Sequence, residues 1–169
     1  ASNLTEWKDA LKMQQIASLN LIYADKDDNI FFVHNLKSPI RNKNFDWKEV
    51  VPGNDSSLIW DEYYSFEQIP QILNPQSGYL FSTNQNPFYV TTLDQNLYID
   101  NFPETMGFQS RTTNRAYRSF ELFESLPLIS YSDLKKIKYD NKFSKNSRQY
   151  KFMEKIFEHD FSDNDRHLK

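Results

Sequence analysis

The 169-residue chain has no cysteine, which excludes disulfides, thiolate nucleophiles and cysteine-ligated zinc. It has three glycines, Gly53, Gly78 and Gly107, too scattered for a GxGxxG or P-loop phosphate cradle. No GxSxG elbow occurs. With three histidines and neither HExxH nor EF-hand spacing, a metal site finds no support in the local motifs. There is no run of 18 apolar residues, so no segment reads as a membrane-spanning helix. A basic excess is missing too: the formal net charge is −3, and no broad positive field exists to meet a phosphate backbone. The local run Lys135, Lys136, Lys138, Lys142 and Lys145 reads as a solvated helix face. The start, ASNLTEWKDALK, lacks a charged region followed by an apolar one, and Ala1 is no initiator methionine. The chain is therefore expected to be processed or excised from something longer.

Aromatic residues are abundant. Fourteen Phe and ten Tyr lift the aromatic share to 16%, enough large apolar surface for a folded core. Asn3 is placed to cap a helix over residues 4–18, with Leu4, Trp7, Leu11 and Ile16 on one face. Residues 19–35 predict a β-hairpin, LNLIYAD and IFFVHN about the turn KDDN. Ile30–Val33 is apolar at every position, as in a strand covered on both faces. Residues 37–68 are irregular, with Phe45, Trp47, Trp60 and Phe66 available to pin them down. Ile69–Leu73 and Gly78–Phe81 read as short extended pieces, and 88–99 as another or as loop.

Three helices follow. The first runs from a Thr113 cap to about Leu126, with Ala116, Phe120 and Phe123 inward. A second, short one spans about Asp133–Lys138 behind Ser130 or Ser132, and a third spans about Asn146–Glu158 with Phe152, Met153, Ile156 and Phe157 inward. The tail FSDNDRHLK reads as frayed. Strands early and helices late predict an α+β fold, read as one segment with a mixed part over about 1–110 and a helical part over about 111–169.

Among single residues, His34 ends an apolar strand and reads as a buried, hydrogen-bonded histidine, whereas His159 and His167 read as solvated. Asp27/Asp28 and Asp61/Glu62 are adjacent turn acids, the solvated kind. The stretch NPQSGYLFSTNQNP at 74–87 is unusual: a short apolar run ends in amides and prolines. Asn84 is either part of an Asn-rich turn or a neutral donor aimed at a developing oxyanion.

Several segments, in order, resemble the β chain of the penicillin acylase family, to which acyl-homoserine-lactone acylases also belong. They are the start through the hairpin, ASNLTEWKDAL…LNLIYADKDDNIFFVHN; FDWKEVVPG at Phe45–Gly53; NPQSGY at Asn74–Tyr79 with the later N-x-x-P; TNRAYRSFELFE at Thr113–Glu124; and DLKKIKYDNKFSK at Asp133–Lys145. The resemblance covers about residues 1–145. It implies a piece of a four-layer αββα N-terminal nucleophile hydrolase, acting on N-acyl amides with phenylacetyl, fatty acyl and homoserine-lactone substrates all open.

By position, the resemblance makes Asn84 the oxyanion-hole asparagine, Arg115 the arginine supporting the active site, and Leu19 an apolar residue of the acyl pocket. It implies a structural calcium in the parent protein, but Asp94 and Asp100 both miss the family's downstream spacing, so no metal ligand is assigned. It also implies a serine at a β-chain N-terminus, freed by self-cleavage and using its own α-amino group as base. Ser2 is not that serine, because ASNLTEW matches a segment well downstream of the nucleophile. The chain is thus expected to be an interior piece, inactive alone and partnered by the rest of its precursor, with a periplasmic or secreted location. The alternatives are a non-enzymatic glycan- or peptide-binding module, or a degenerate family member.

Overall fold

The structure, a computed structural model, describes residues 1–16, 18–109 and 111–159. These form two compact units divided between Arg111 and Thr112. In the first unit, helix α1 (Leu4–Lys12) starts where the Asn3 side chain accepts from the Glu6 N–H. Ser2 is engaged at the same end, donating from both its backbone N–H and its hydroxyl to the Glu6 carboxylate. The helix stops at Lys12, short of the predicted 18. Gln14 turns the chain with φ +48°, and its side-chain amide donates to the Leu36 and Tyr64 carbonyls. That tether pulls the chain off the helical path, so Ile16 leaves the apolar face and is exposed.

Strands β1 (Leu19–Ala24) and β2 (Ile30–Asn35) form the predicted hairpin, with Leu19 opposite Asn35 and Ala24 opposite Ile30. Its turn is built on Asp25, whose carboxylate accepts from the Asp27 and Asn29 N–H groups and from the Tyr23 hydroxyl. Strand β3 (Gln71–Leu73) adds antiparallel to the other side of β2, giving the order β1-β2-β3. It is shorter than Ile69–Leu73 because Pro70 has no N–H for a ladder; its carbonyl accepts from the His34 N–H instead.

β2 is covered on both faces. Phe31 and Val33 enter one cluster with Leu11, Leu36, Phe66, Ile69 and Met106. Phe32 points the other way and joins Ile72 and Val90. The side-chain period of two thus divides one continuous apolar run between two small cores.

The long segment after β2 is irregular, as predicted. Phe66 is buried, Trp47 packs against Phe45 and Trp60, and Arg41 lies over the Trp60 ring at 5.2 Å. Gly78–Phe81 does not join the sheet: Gly78 has φ +71°, and the Phe81 N–H donates to the Val90 carbonyl. Residues 88–99 are loop with a helical turn at Leu93–Gln95, and another turn, Ile99–Asn101, begins at their end.

The second unit holds α2 (Asn114–Glu124), α3 (Tyr131–Lys138) and α4 (Arg148–Glu158). Thr113 caps α2, Ser130 caps α3 through a reciprocal box with Asp133, and Ser147 caps α4. Ala116 and Phe123 are buried, Phe120 half-buried. Arg118 closes a fork on Asp140, Nε to Oδ1 at 2.8 Å and Nη2 to Oδ2 at 3.0 Å, tying α2 to the end of α3. That fork holds the Asp140 carboxyl below the usual carboxylate range. Lys135, Lys136, Lys138, Lys142 and Lys145 are all exposed, as read. One expectation is overturned: Phe152, Met153, Ile156 and Phe157 are exposed. An amphipathic stripe specifies a helix but not its partner, and no residue of α4 is buried. His159 is exposed; His167 and the tail from 160 lie outside the described residues.

Removing the Phe32 side chain, fully buried between β2 and the Val90 segment, is expected to cost about 3–5 kcal/mol. Urea unfolding of Phe32→Ala checks this; a midpoint at the parent value would contradict the two-core account.

Candidate active site

Between Phe81 and Val90 the chain makes a tight loop that presents Asn84. Asn84 has φ +65°, a left-handed conformation that asparagine tolerates better than most residues. The residue is exposed. The next residue does the structural work. Gln85 is buried, and its side-chain oxygen accepts from the Thr83 N–H and hydroxyl. Its amide nitrogen donates to the Phe81 and Tyr89 carbonyls. One buried side chain thereby closes the loop on both sides of Asn84.

The loop is also fastened to the sheet. Asn20 on β1 donates from Nδ2 to the Gln85 carbonyl at 2.8 Å and to the Ser82 hydroxyl at 3.1 Å. Its Oδ1 lies 2.6 Å from His34 Nδ1. Further out, Asn96 is buried: its Oδ1 accepts from the Val90 and Thr91 N–H groups, and its Nδ2 donates to the Thr91 and Thr92 carbonyls. Asn74 has φ +47° and ends β3 by exchanging hydrogen bonds with Ile30, its own N–H donating and its Oδ1 accepting. Asn86 accepts from the Phe88 N–H. The amides of Asn74, Gln85, Asn86 and Asn96 thus organise backbone.

Asn84 faces a cleft of about 340 Å³ whose walls include His34, Lys37, Arg41, Gln85 and Phe108. Two cations line it and, among the described lining residues, no carboxylate does. Arg41 is held by the Thr105 carbonyl. Gly107, with φ +81°, leaves room for it; a Cβ there would sit 3.2 Å from the guanidinium. His34 packs against the Phe108 ring, and burial pushes its pKa below the ordinary imidazole range. Such a wall suits negative charge in the cleft.

Of the residues singled out from the sequence, Asn84 lies in this cleft. Leu19 opens β1, is exposed, and is flanked by Ser18, a wall residue, and by Asn20, which binds the loop. Arg115 lies in the first turn of α2, in the second unit, and is exposed. Three contributors were missed: Asn20, Gln85 and Arg41. Asn20 had a signal, since it stands in the LNLIYAD segment whose Tyr23 and Asp25 build the hairpin turn. Gln85 and Arg41 had none, because most of their hydrogen bonds go to backbone carbonyls and N–H groups. Among the described residues no group of three or more His, Asp or Glu converges as a metal site.

The chain matches the family model described as penicillin amidase over residues 1–166. It belongs to the penicillin amidase family. Over 87 residues, 52% of this chain, it is 36% identical to penicillin G acylase of Escherichia coli, of which it spans 10%. It also superposes on a thermostable penicillin G acylase from Alcaligenes faecalis with a TM-score of 0.64 and 25% identity, over 96% of this chain and 28% of that one. The chain therefore covers a small part of each relative's length. The α+β class read from the sequence is the class observed, and the penicillin amidase resemblance carried by NPQSGY and its companions is the family found.

The position of His34 has a pH consequence. Its folded pKa is lowered by burial, so near pH 6.5, the ordinary histidine value, the unfolded chain binds a proton that the folded chain does not. The associated stability is full above that range and is lost as pH falls from it toward the lowered value. Urea midpoints measured downward from pH 7.5 should fall for the parent and flatten in His34→Gln; an identical slope in both would sink the assignment.

Proposed function

We propose that this chain carries the oxyanion side of an N-acyl amide hydrolase. Asn84 donates its side-chain N–H to the oxygen that becomes negative as the amide carbonyl is attacked. The observation carrying this reading is the build of the loop: buried Gln85 fixes it, and Asn84, in a left-handed conformation, lines a cleft that Lys37 and Arg41 also line, with no carboxylate among the described lining residues. A fixed neutral donor stabilises developing charge without reorganising at the moment of reaction. Membership of the penicillin amidase family supports the reaction class.

In this proposal the nucleophile, a serine using its own α-amino group as base, comes from a segment of the parent protein outside these residues. Ser2 is not suited to the role, because its hydroxyl and N–H are both committed to Glu6 at the start of α1. Attack forms the tetrahedral intermediate, its collapse expels the amine, and water hydrolyses the acyl-enzyme. Arg115 supports the site, and Leu19 lines the acyl pocket beside Ser18 and Asn20. The substrate is a small N-acyl amide of the penicillin or acyl-homoserine-lactone type. The remaining precursor chain is the partner, the location is periplasmic or secreted, and the chain alone is inactive.

Asn84→Ala in the full-length protein should lower kcat about 100-fold or more with a modest change in melting temperature. Unchanged kcat would remove the oxyanion role. Leu19→Ala should change the preference between short and long acyl chains by about tenfold in kcat/KM. Equal kcat/KM ratios across an acyl series would remove Leu19 from the pocket.

A further inference from the structure

Two side chains outside the roles just assigned connect the cleft wall to the Asn84 turn. Asn20 Nδ2 donates to the Gln85 carbonyl, which can only accept. That fixes the orientation of the Asn20 amide, so its Oδ1 is the atom facing His34 Nδ1 at 2.6 Å. The imidazole must then carry its proton on Nδ1 and donate. One directed chain results, from His34 through Asn20 to the backbone of the residue after Asn84. The second Asn20 donor is spent on Ser82, on the other side of the turn. Asn20 therefore grips the turn at both shoulders, 82 and 85, and His34 sets the plane in which it does so. His34 is itself held, by its backbone N–H on Pro70 and by its ring against Phe108.

We propose that Asn20 and His34 are positioning residues for catalysis: together they fix the turn that aims Asn84 at the developing oxyanion. This rests on the reading of Asn84 as that donor. The proposal differs from a purely structural role in what it moves. Loss of aim affects an interaction that strengthens in the transition state, so it lowers kcat and leaves KM nearly alone. Its effect also disappears once there is no donor left to aim.

The test uses the full-length protein and a chromogenic N-acyl anilide. Asn20→Ala should lower kcat about tenfold with KM within about threefold. The double variant Asn20→Ala/Asn84→Ala should match Asn84→Ala within about twofold. His34→Leu, which leaves both Asn20 donors in place, should fall with Asn20→Ala. His34→Gln, whose amide can donate to Asn20, should recover most of the loss, and this pair decides the matter should Asn20→Ala fail to fold. Multiplicative losses in the double variant, equal losses in His34→Leu and His34→Gln, or kcat within twofold of the parent in Asn20→Ala and His34→Leu would each overturn the positioning pair. A deep loss in Asn84→Ala with none in Asn20→Ala removes the pair alone. No loss in Asn84→Ala removes the underlying oxyanion reading as well, and the pair with it.

Discussion

The buried side chain of Gln85 is the constraint on which the site depends. One amide meets four partners on its own loop, the Thr83 N–H and hydroxyl and the Phe81 and Tyr89 carbonyls. A loop of this kind has no ladder to satisfy its backbone, and a buried polar group left unpaired costs about 1–3 kcal/mol. Gln85 removes that cost and imposes a shape. Between the fixed Thr83 and Gln85, Asn84 takes the left-handed region and is exposed. The placement of Asn84 on the cleft wall thus depends on the buried amide beside it.

The rest of the first unit supports that geometry. Phe32, with Ile72 and Val90, secures the sheet beneath the loop's C-terminal end. Asn20 secures its middle from β1, and Asn96 organises the backbone just beyond it. The apolar run of β2 thereby serves two cores at once, one under α1 and one under the loop. In the second unit the Arg118–Asp140 fork plays the comparable part, joining α2 to the end of α3.

Much of the fold was legible because it rests on local chemistry. Caps at Asn3, Thr113 and Ser130 need only a short side chain before an amphipathic run, and the hairpin needs only its alternation and a polar turn. Where the reading failed, distant contacts decided. The end of α1 is set by Gln14 reaching Leu36 and Tyr64, 22 and 50 positions away. The outward face of α4 is apolar in pattern yet exposed, since a stripe does not name its partner. The site followed the same rule: Asn84 was visible through its motif, whereas Arg41 and Gln85 act mainly on backbone groups that no residue pattern records.

The central claim is that Asn84 meets the oxyanion. The most direct measurement is a crystal structure of the full-length protein with a tetrahedral adduct, such as an acyl-side boronic acid, on its nucleophile. The account predicts Asn84 Nδ2 about 2.7–3.1 Å from the adduct oxygen, with Gln85 and Asn20 holding the turn unchanged. An Asn84 amide turned away from that oxygen, with another donor in its place, would contradict it.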